Sequence, residues 1–174
     1  MTEAINNTIV VFLFAFTLNT MSVNAQNNNS QEAEVVNIMF QAFGTGNIEA
    51  LKLTLSDSTV WNYNGSEFIP YSGTYKGKED VIRFNGNIVS SVDILDFKGE
   101  QIIADGKTVV VPGSEKQKIK KNGEILEQKW LQFDTVENSL ISKMEEFANT
   151  AYSEKLFKKV VNLKQKRKWK ITIL

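Results

Sequence analysis

The chain contains no histidine and no cysteine. It therefore lacks the commonest general base near neutral pH, the commonest metal ligand and the thiolate nucleophile. Any acid–base chemistry must rest on carboxyl, phenol or amine groups. Glu115 is the carboxyl with the most suggestive setting. Val109, Val111, Gly113, Glu115 and Gln117 alternate with Ser114, Lys116, Lys118 and Lys120, the period of a strand. If the valine face points inward, so does Glu115. Desolvation would then raise its pKa and make it a usable base. The same position also suits a strand-end acid paired with a neighbouring lysine. A second constellation is Gln128, Trp130, Gln132 and Asp134, which share one face of a later strand. Amides beside an indole suit a polar pocket wall, although such a row also suits solvent or a partner subunit. Glu146 and Asn149, near the end of the last strand, read either way. The acids lack the dense spacing of a hard-cation loop, and no glycine pattern cradles a phosphate, so neither a metal nor a cofactor is expected.

The elements that must position these residues follow from periodicity. Val35, Val36, Met39, Phe40 and Phe43 have helical spacing over 32–43, and Gly44-Thr45-Gly46 ends that helix. Asn47 can cap a short second helix through Leu55. Thr59 to Tyr63 has strand composition. A loop rich in rings, 68–77, leads to a third helix over 78–90. The period then changes. Asp105-Gly106, Asn122-Gly123 and Glu137-Asn138-Ser139 are hairpin turns joining strands at about 92–104, 107–121, 125–136 and 140–148. Pro112-Gly113 inside the second of these predicts a bulge or bend. Helices followed by a curved antiparallel sheet make an α+β domain.

The ends of the chain differ from this body. Ile9–Phe16 is a continuous apolar run, followed by small residues ending at Val23-Asn24-Ala25. Residues 1–25 therefore read as an export signal, although no lysine or arginine precedes the apolar run. Cleavage would place the protein in the periplasm or outside the cell; an uncleaved anchor is the alternative. Residues 26–31 form a polar leader, 32–154 the domain and 155–174 a basic tail. Eight cations and no acid lie between Lys155 and Lys170, whereas residues 26–154 hold 12 cations against 19 acids, a net of −7. That acidic body argues against nucleic acid. The tail, with Trp169 and its apolar end, suits weak contact with a membrane surface or a loosely docked segment.

The order of features resembles a known family. "MFQAFGTGNIEAL" (39–51) resembles the first helical hairpin of SnoaL-like domains, within the superfamily of nuclear transport factor two and ketosteroid isomerase. "LSDSTVWNYNG" (55–65) resembles their first strand, and "PYSGTYKGKEDVIRF" (70–84) their proline-tyrosine-glycine loop and third helix. "EQKWLQFDTV" (127–136) and "MEEFANTA" (144–151) resemble their last two strands. The resemblance spans about 33–152. It implies a cone-shaped barrel, a curved sheet around three helices, enclosing a small-molecule pocket and often dimerising through the sheet. Members include polyketide cyclases, steroid isomerases and epoxide hydrolases. Three positions depart from the pattern: Asn149 stands where relatives often carry an acid, Gln132 where they often carry histidine, and Met39 near a common tyrosine. These neutral replacements weigh against cyclase or isomerase chemistry.

On this resemblance the pocket for a small, mostly apolar molecule is walled by Trp61, Tyr71, Trp130 and Phe147. Glu115, Gln132 and Asn149 are its polar contacts, with Glu115, or else Glu67, as the base. Phe68 is expected as a core anchor and Tyr71 at the rim.

Overall fold

The computed structural model describes residues 30–159. The export-signal reading of 1–25, residues 26–29 of the polar leader and the tail beyond 159, with Trp169, lie outside the described residues. Four helices and seven strands follow the expected order. They are α1 (Gln31–Thr45), α2 (Ile48–Thr54), β1 (Leu55–Tyr63), β2 (Gly73–Lys76), α3 (Lys78–Ser91), β3 (Val92–Gly99), β4 (Ile103–Asp105), β5 (Thr108–Ile119), β6 (Ile125–Glu137) and β7 (Leu140–Ala148), then α4 over 150–159.

Local chemistry explains the helix ends. Ser30 accepts from the Ala33 amide and Asn47 from the Ala50 amide, each satisfying a donor that the first turn leaves free. Gly46 closes α1 at φ 66, where a side chain would be strained. At the last hairpin, Asn138 and Ser139 both have positive φ, the conformation a two-residue turn needs to match the twist of its strands.

The sheet runs in the order β2-β1-β7-β6-β5-β3, with β4 sharing the β5 edge used by β3. It curves around the helices without closing. One pairing departs from the antiparallel pattern: β1 and β7 run parallel. The predicted strand at 92–104 is interrupted after Gly99, and the ring-rich loop contributes its own short strand, β2, paired to β1. The helices bring Val36, Met39 and Phe40 from α1 and Val81, Phe84 and Ile88 from α3 onto the sheet's concave face. There they meet Val109, Val111, Trp130, Ile141 and Met144.

α4 is an element that the sequence reading did not anticipate. Ser153, Leu156 and Phe157 are buried, so the boundary drawn at 154 falls inside a packed helix. Its cations Lys158 and Lys159 pair with Glu154 and Glu124 on the outside.

No bulge occurs at Pro112-Gly113. The β5–β6 ladder is continuous from Thr108↔Thr135 to Lys118↔Ile125. Gly113 has another purpose. It lies opposite Trp130, and a Cβ there would sit 2.1 Å from the indole Cζ2. The ring lies across the bare backbone and stacks on Phe97 at 5.0 Å and on Phe40 at 5.9 Å. Gly113→Ala must displace that stack. We expect a loss of about 1–3 kcal/mol in urea unfolding, the usual range for overpacking, with a changed near-ultraviolet tryptophan signal. Unchanged stability and spectrum would show that the ring does not need the space.

Candidate functional site

The unbroken β5–β6 register keeps the pleat in phase, so alternate residues of both strands face the helices. On β5 these are Val109, Val111, Gly113, Glu115 and Gln117; on β6 they are Gln128, Trp130, Gln132 and Asp134. Across the next ladder Gln132 pairs with Glu146 and Asp134 with Met144. Three adjacent strands thus send Glu115, Asp134 and Glu146 toward one interior. Glu115 and Glu146 border a small cavity of about 30 Å³ walled by rings from helices and sheet, including Phe40, Phe43, Trp61, Tyr63, Phe84 and Phe97, while Asp134 lies behind Gln132, which lines it. As it stands, that space holds one or two waters, since one needs about 10–15 Å³.

The three acids differ in their partners. Glu115 is only 5% exposed and both its oxygens are occupied: Gln128 Nε2 donates to Oε1 and Gln117 Nε2 to Oε2, each at 2.6 Å. Those glutamines are held in turn. Tyr71 donates its hydroxyl to Gln117 Oε1 at 3.3 Å, and Ser153 of α4 donates to Gln128 Oε1 at 3.0 Å. Burial raises the Glu115 pKa, while the amides of Gln128 and Gln117 draw it back. Asp134, 1% exposed, accepts from Gln132 Nε2 on both oxygens, at 3.0 and 2.8 Å. Burial pushes its carboxyl up to about 7.

Glu146 borders the cavity, and among the described residues no side chain donates to its carboxyl. Burial, then the charges of Glu115 and Asp134, hold its pKa well above the ordinary carboxyl range. Two donors on the same wall are also unspent. The Trp61 indole N–H is buried without a hydrogen-bond partner, and the Tyr63 hydroxyl lies near Gln128 and Tyr71 without completing a hydrogen bond to either. Burial keeps the Tyr63 phenol protonated far above neutral pH.

The predicted site residues are therefore sorted by the pleat. Glu115, Trp61, Tyr71 and Gln132 line the cavity. Trp130 stands behind the lining, stacked on Phe97 and Phe40. Phe147 does not reach the interior. Counting inward residues from Met144 gives Glu146, which leaves Phe147 outside, 47% exposed and edge-on to Phe133. Asn149 is also outside: its side chain accepts from the Tyr152 amide and caps α4. Glu67 is exposed, away from the cavity. The expected roles of two rings are exchanged. Phe68 is 39% exposed with Lys158 over its face, whereas Tyr71 is 1% exposed, edge-on to Tyr63 and Phe157. Ile69 is the buried anchor of that loop. Glu146 was the residue most readily missed, because the adjacent phenylalanine drew the inward phase to itself. The alternation from Ile141 through Met144 carries a register shift at Thr135/Val136, which conceals the phase.

An α+β cone with titratable groups facing an enclosed interior is the class of protein this arrangement defines. The family model of the SnoaL-like domain matches residues 36–144, and the chain belongs to that family. Solved structures share the fold. An NTF2-like protein of unknown function from Burkholderia pseudomallei aligns with a TM-score of 0.67 and 21% identity, over 74% of this chain and 98% of that one. An NTF2-like protein from Burkholderia xenovorans aligns at 0.65 and 22%, over 70% and 91%. TerC, co-crystallised with polyporic acid, aligns at 0.66 and 17%, over 74% and 99%. No curated protein matches the sequence.

The raised pKa of Asp134 has a defined sign. The folded protein retains a proton up to about pH 7 that the unfolded chain releases near its ordinary value of 3.8. Its stabilising contribution is complete below the lower value and is lost as pH rises through the upper one. Glu115 and Glu146 act in the same direction. Urea unfolding should therefore show stability falling from about pH 4 to about pH 8. Asp134→Asn should flatten part of that fall and leave the variant at least as stable as wild type at the alkaline end. An equal slope in both proteins would mean that Asp134 titrates normally.

Proposed function

We propose that the interior of the cone binds a small organic molecule and that Glu146 exchanges a proton with it. One observation carries this reading: Glu146 is the inward acid whose carboxyl is left without a donor, at a cavity where Glu115 and Asp134 are both tied to amides. A half-buried carboxyl that faces a cavity with no side-chain donor, and whose pKa is raised, is of the kind that concentrates at functional sites. TerC, a protein of the same fold, takes an organic compound in its co-crystals.

The unspent donors suggest the chemistry. A carbonyl oxygen near the Tyr63 hydroxyl or the Trp61 N–H would be polarised by a hydrogen bond. Glu146, as carboxylate, would then remove a proton from the adjacent carbon. The C–H electron pair moves into the carbonyl to give an enolate, and the proton rests on the glutamate. Its return to the same carbon gives exchange; where a carbon–carbon double bond beyond that carbon extends the enolate, its return to the far end of that double bond shifts the double bond and completes an isomerisation. The high pKa of Glu146 suits a base of this kind, because proton affinity and driving force rise together. Glu115, with both oxygens occupied, is assigned to positioning. The present volume restricts the molecule to a few heavy atoms unless the half-buried Phe43 or Ile94 yields.

Export and pairing remain part of the same proposal. The apolar segment 9–16 supports export, and the exposed Phe133–Phe147 pair on the sheet's outer face supports a second copy docking there.

Deuterium exchange at the α-carbon of acetone, a ketone of four heavy atoms, followed by proton NMR, tests the proton-transfer role. Wild type should accelerate exchange, and Glu146→Gln should reduce the acceleration by about 10²–10⁴-fold, the usual worth of a general base. Glu115→Gln should keep measurable exchange while losing about 1–3 kcal/mol of stability, because one glutamine would face an amide donor instead of an acceptor. The reverse pattern would return the proton to Glu115. No exchange by wild type would remove this reaction and leave binding alone.

A further inference from the structure

We infer that the molecule taken by this cavity carries a positive charge: a small amine or quaternary ammonium, held between the Glu146 carboxylate and the aromatic wall. The inference rests on the proposed use of the interior as a binding site and adds the charge class of its occupant.

The first ground is an imbalance of charge. Glu115, Asp134 and Glu146 face one interior, and among the described residues no lysine or arginine lines its cavity. The ion pairs among the described residues all use other acids, from Asp57 on β1 to Glu154 on α4. The helices facing the acids add only apolar side chains to the lining: Met39, Phe40 and Phe43 from α1, Phe84 and Ile88 from α3. The phenols of Tyr63 and Tyr71 are the remaining titratable groups on the wall, and burial keeps both neutral.

The second ground is the material of the wall. Rings offer a negative face that attracts a cation, most strongly where water is excluded. An anion would meet the same faces and the carboxyls unfavourably. The third ground is the Tyr63 hydroxyl, 4% exposed and without a completed hydrogen bond, whose lone pairs can accept from an ammonium N–H. Among the described residues the acids are not gathered into a group that could chelate a metal ion. A diffuse organic charge fits their spread along three strands better than a point charge needing several ligands.

The two readings meet in an amine-bearing carbonyl compound, whose positive charge also acidifies the neighbouring C–H. Binding of a cation favours the ionised acids, so its affinity must rise with pH across the range in which Asp134 and Glu146 release their protons.

Three probes of equal size separate charge from shape: isopropylammonium, isopropanol and acetate. Each is titrated into the folded protein at about pH 8, following the side-chain amides of Gln117, Gln128 and Gln132 and the Trp61 indole N–H by NMR. Isopropylammonium should bind at least tenfold more tightly than isopropanol, and acetate should not saturate. Glu146→Gln should weaken the amine at least tenfold and leave isopropanol unchanged. Lowering the pH to about 5 should weaken the amine in wild type. The inference is overturned if isopropanol or acetate matches the amine, if Glu146→Gln leaves amine affinity intact, or if none of the three moves these resonances. Isopropanol binding equally with ketone exchange intact would overturn the charge class and keep the proposed function. Amine binding without ketone exchange would keep the charge class and the binding role and remove the proton transfer.

Discussion

Trp130 lies across the bare backbone of Gly113, and much of the interior depends on that contact. It joins the two longest strands face to face at the middle of their ladder. It also extends the stack through Phe97 to Phe40, so that α1 seats against the sheet at a defined depth. A side chain at position 113 would lift the indole and move those rings into the cavity. The glycine that reads as a weak point in a strand is therefore the place where strand and helix approach most closely.

The ladder pinned by this contact decides which polar groups enter the interior. With β5, β6 and β7 in register, a row of amides and acids faces the helices where a dry core would carry valines. Gln117, Gln128 and Gln132 each donate to a carboxyl, and Tyr71 and Ser153 hold two of those glutamines. Such a network is costly if any member lacks a partner, because the low dielectric that strengthens each bond also penalises each orphan. Two acids are satisfied within it and Glu146 is not. The orphaned donors of Trp61 and Tyr63 lie on the same wall. Trp61, Tyr63 and Glu146 thus leave hydrogen-bonding capacity at the cavity that a bound molecule can meet.

α4, which straddles the expected end of the domain at 154, completes this arrangement. Ser153 reaches Gln128, and Phe157 packs edge-on to Tyr71, so the C-terminal helix braces both supports of Glu115. Its basic composition drew attention to charge, yet its apolar face is the part that matters to the interior. Lys158 lies over the ring of Phe68 on the other side of the same helix.

Much of this protein was legible in the order of its residues. The spacing of Val36, Met39 and Phe40, the cap at Asn47, the three hairpin turns and the family motifs lead to the α+β cone, because they record local preferences and periods that the chain expresses by itself. A strand's period of two placed Glu115 on one face with Val109 and Val111, and Gln128 to Asp134 on one face of a later strand, but left open whether those faces point inward. Tertiary structure decided what those periods could not. Phe147 and Glu146 are neighbours on one strand, and only the pairing of Gln132 with Glu146 settles which faces inward. Phe68 and Tyr71 exchanged places because loop burial depends on what packs against the loop, here α4. Hydrophobicity favours burying a ring, but the phase of a strand is common to all its residues, and a carboxyl is carried inside when its neighbours' pairing requires it.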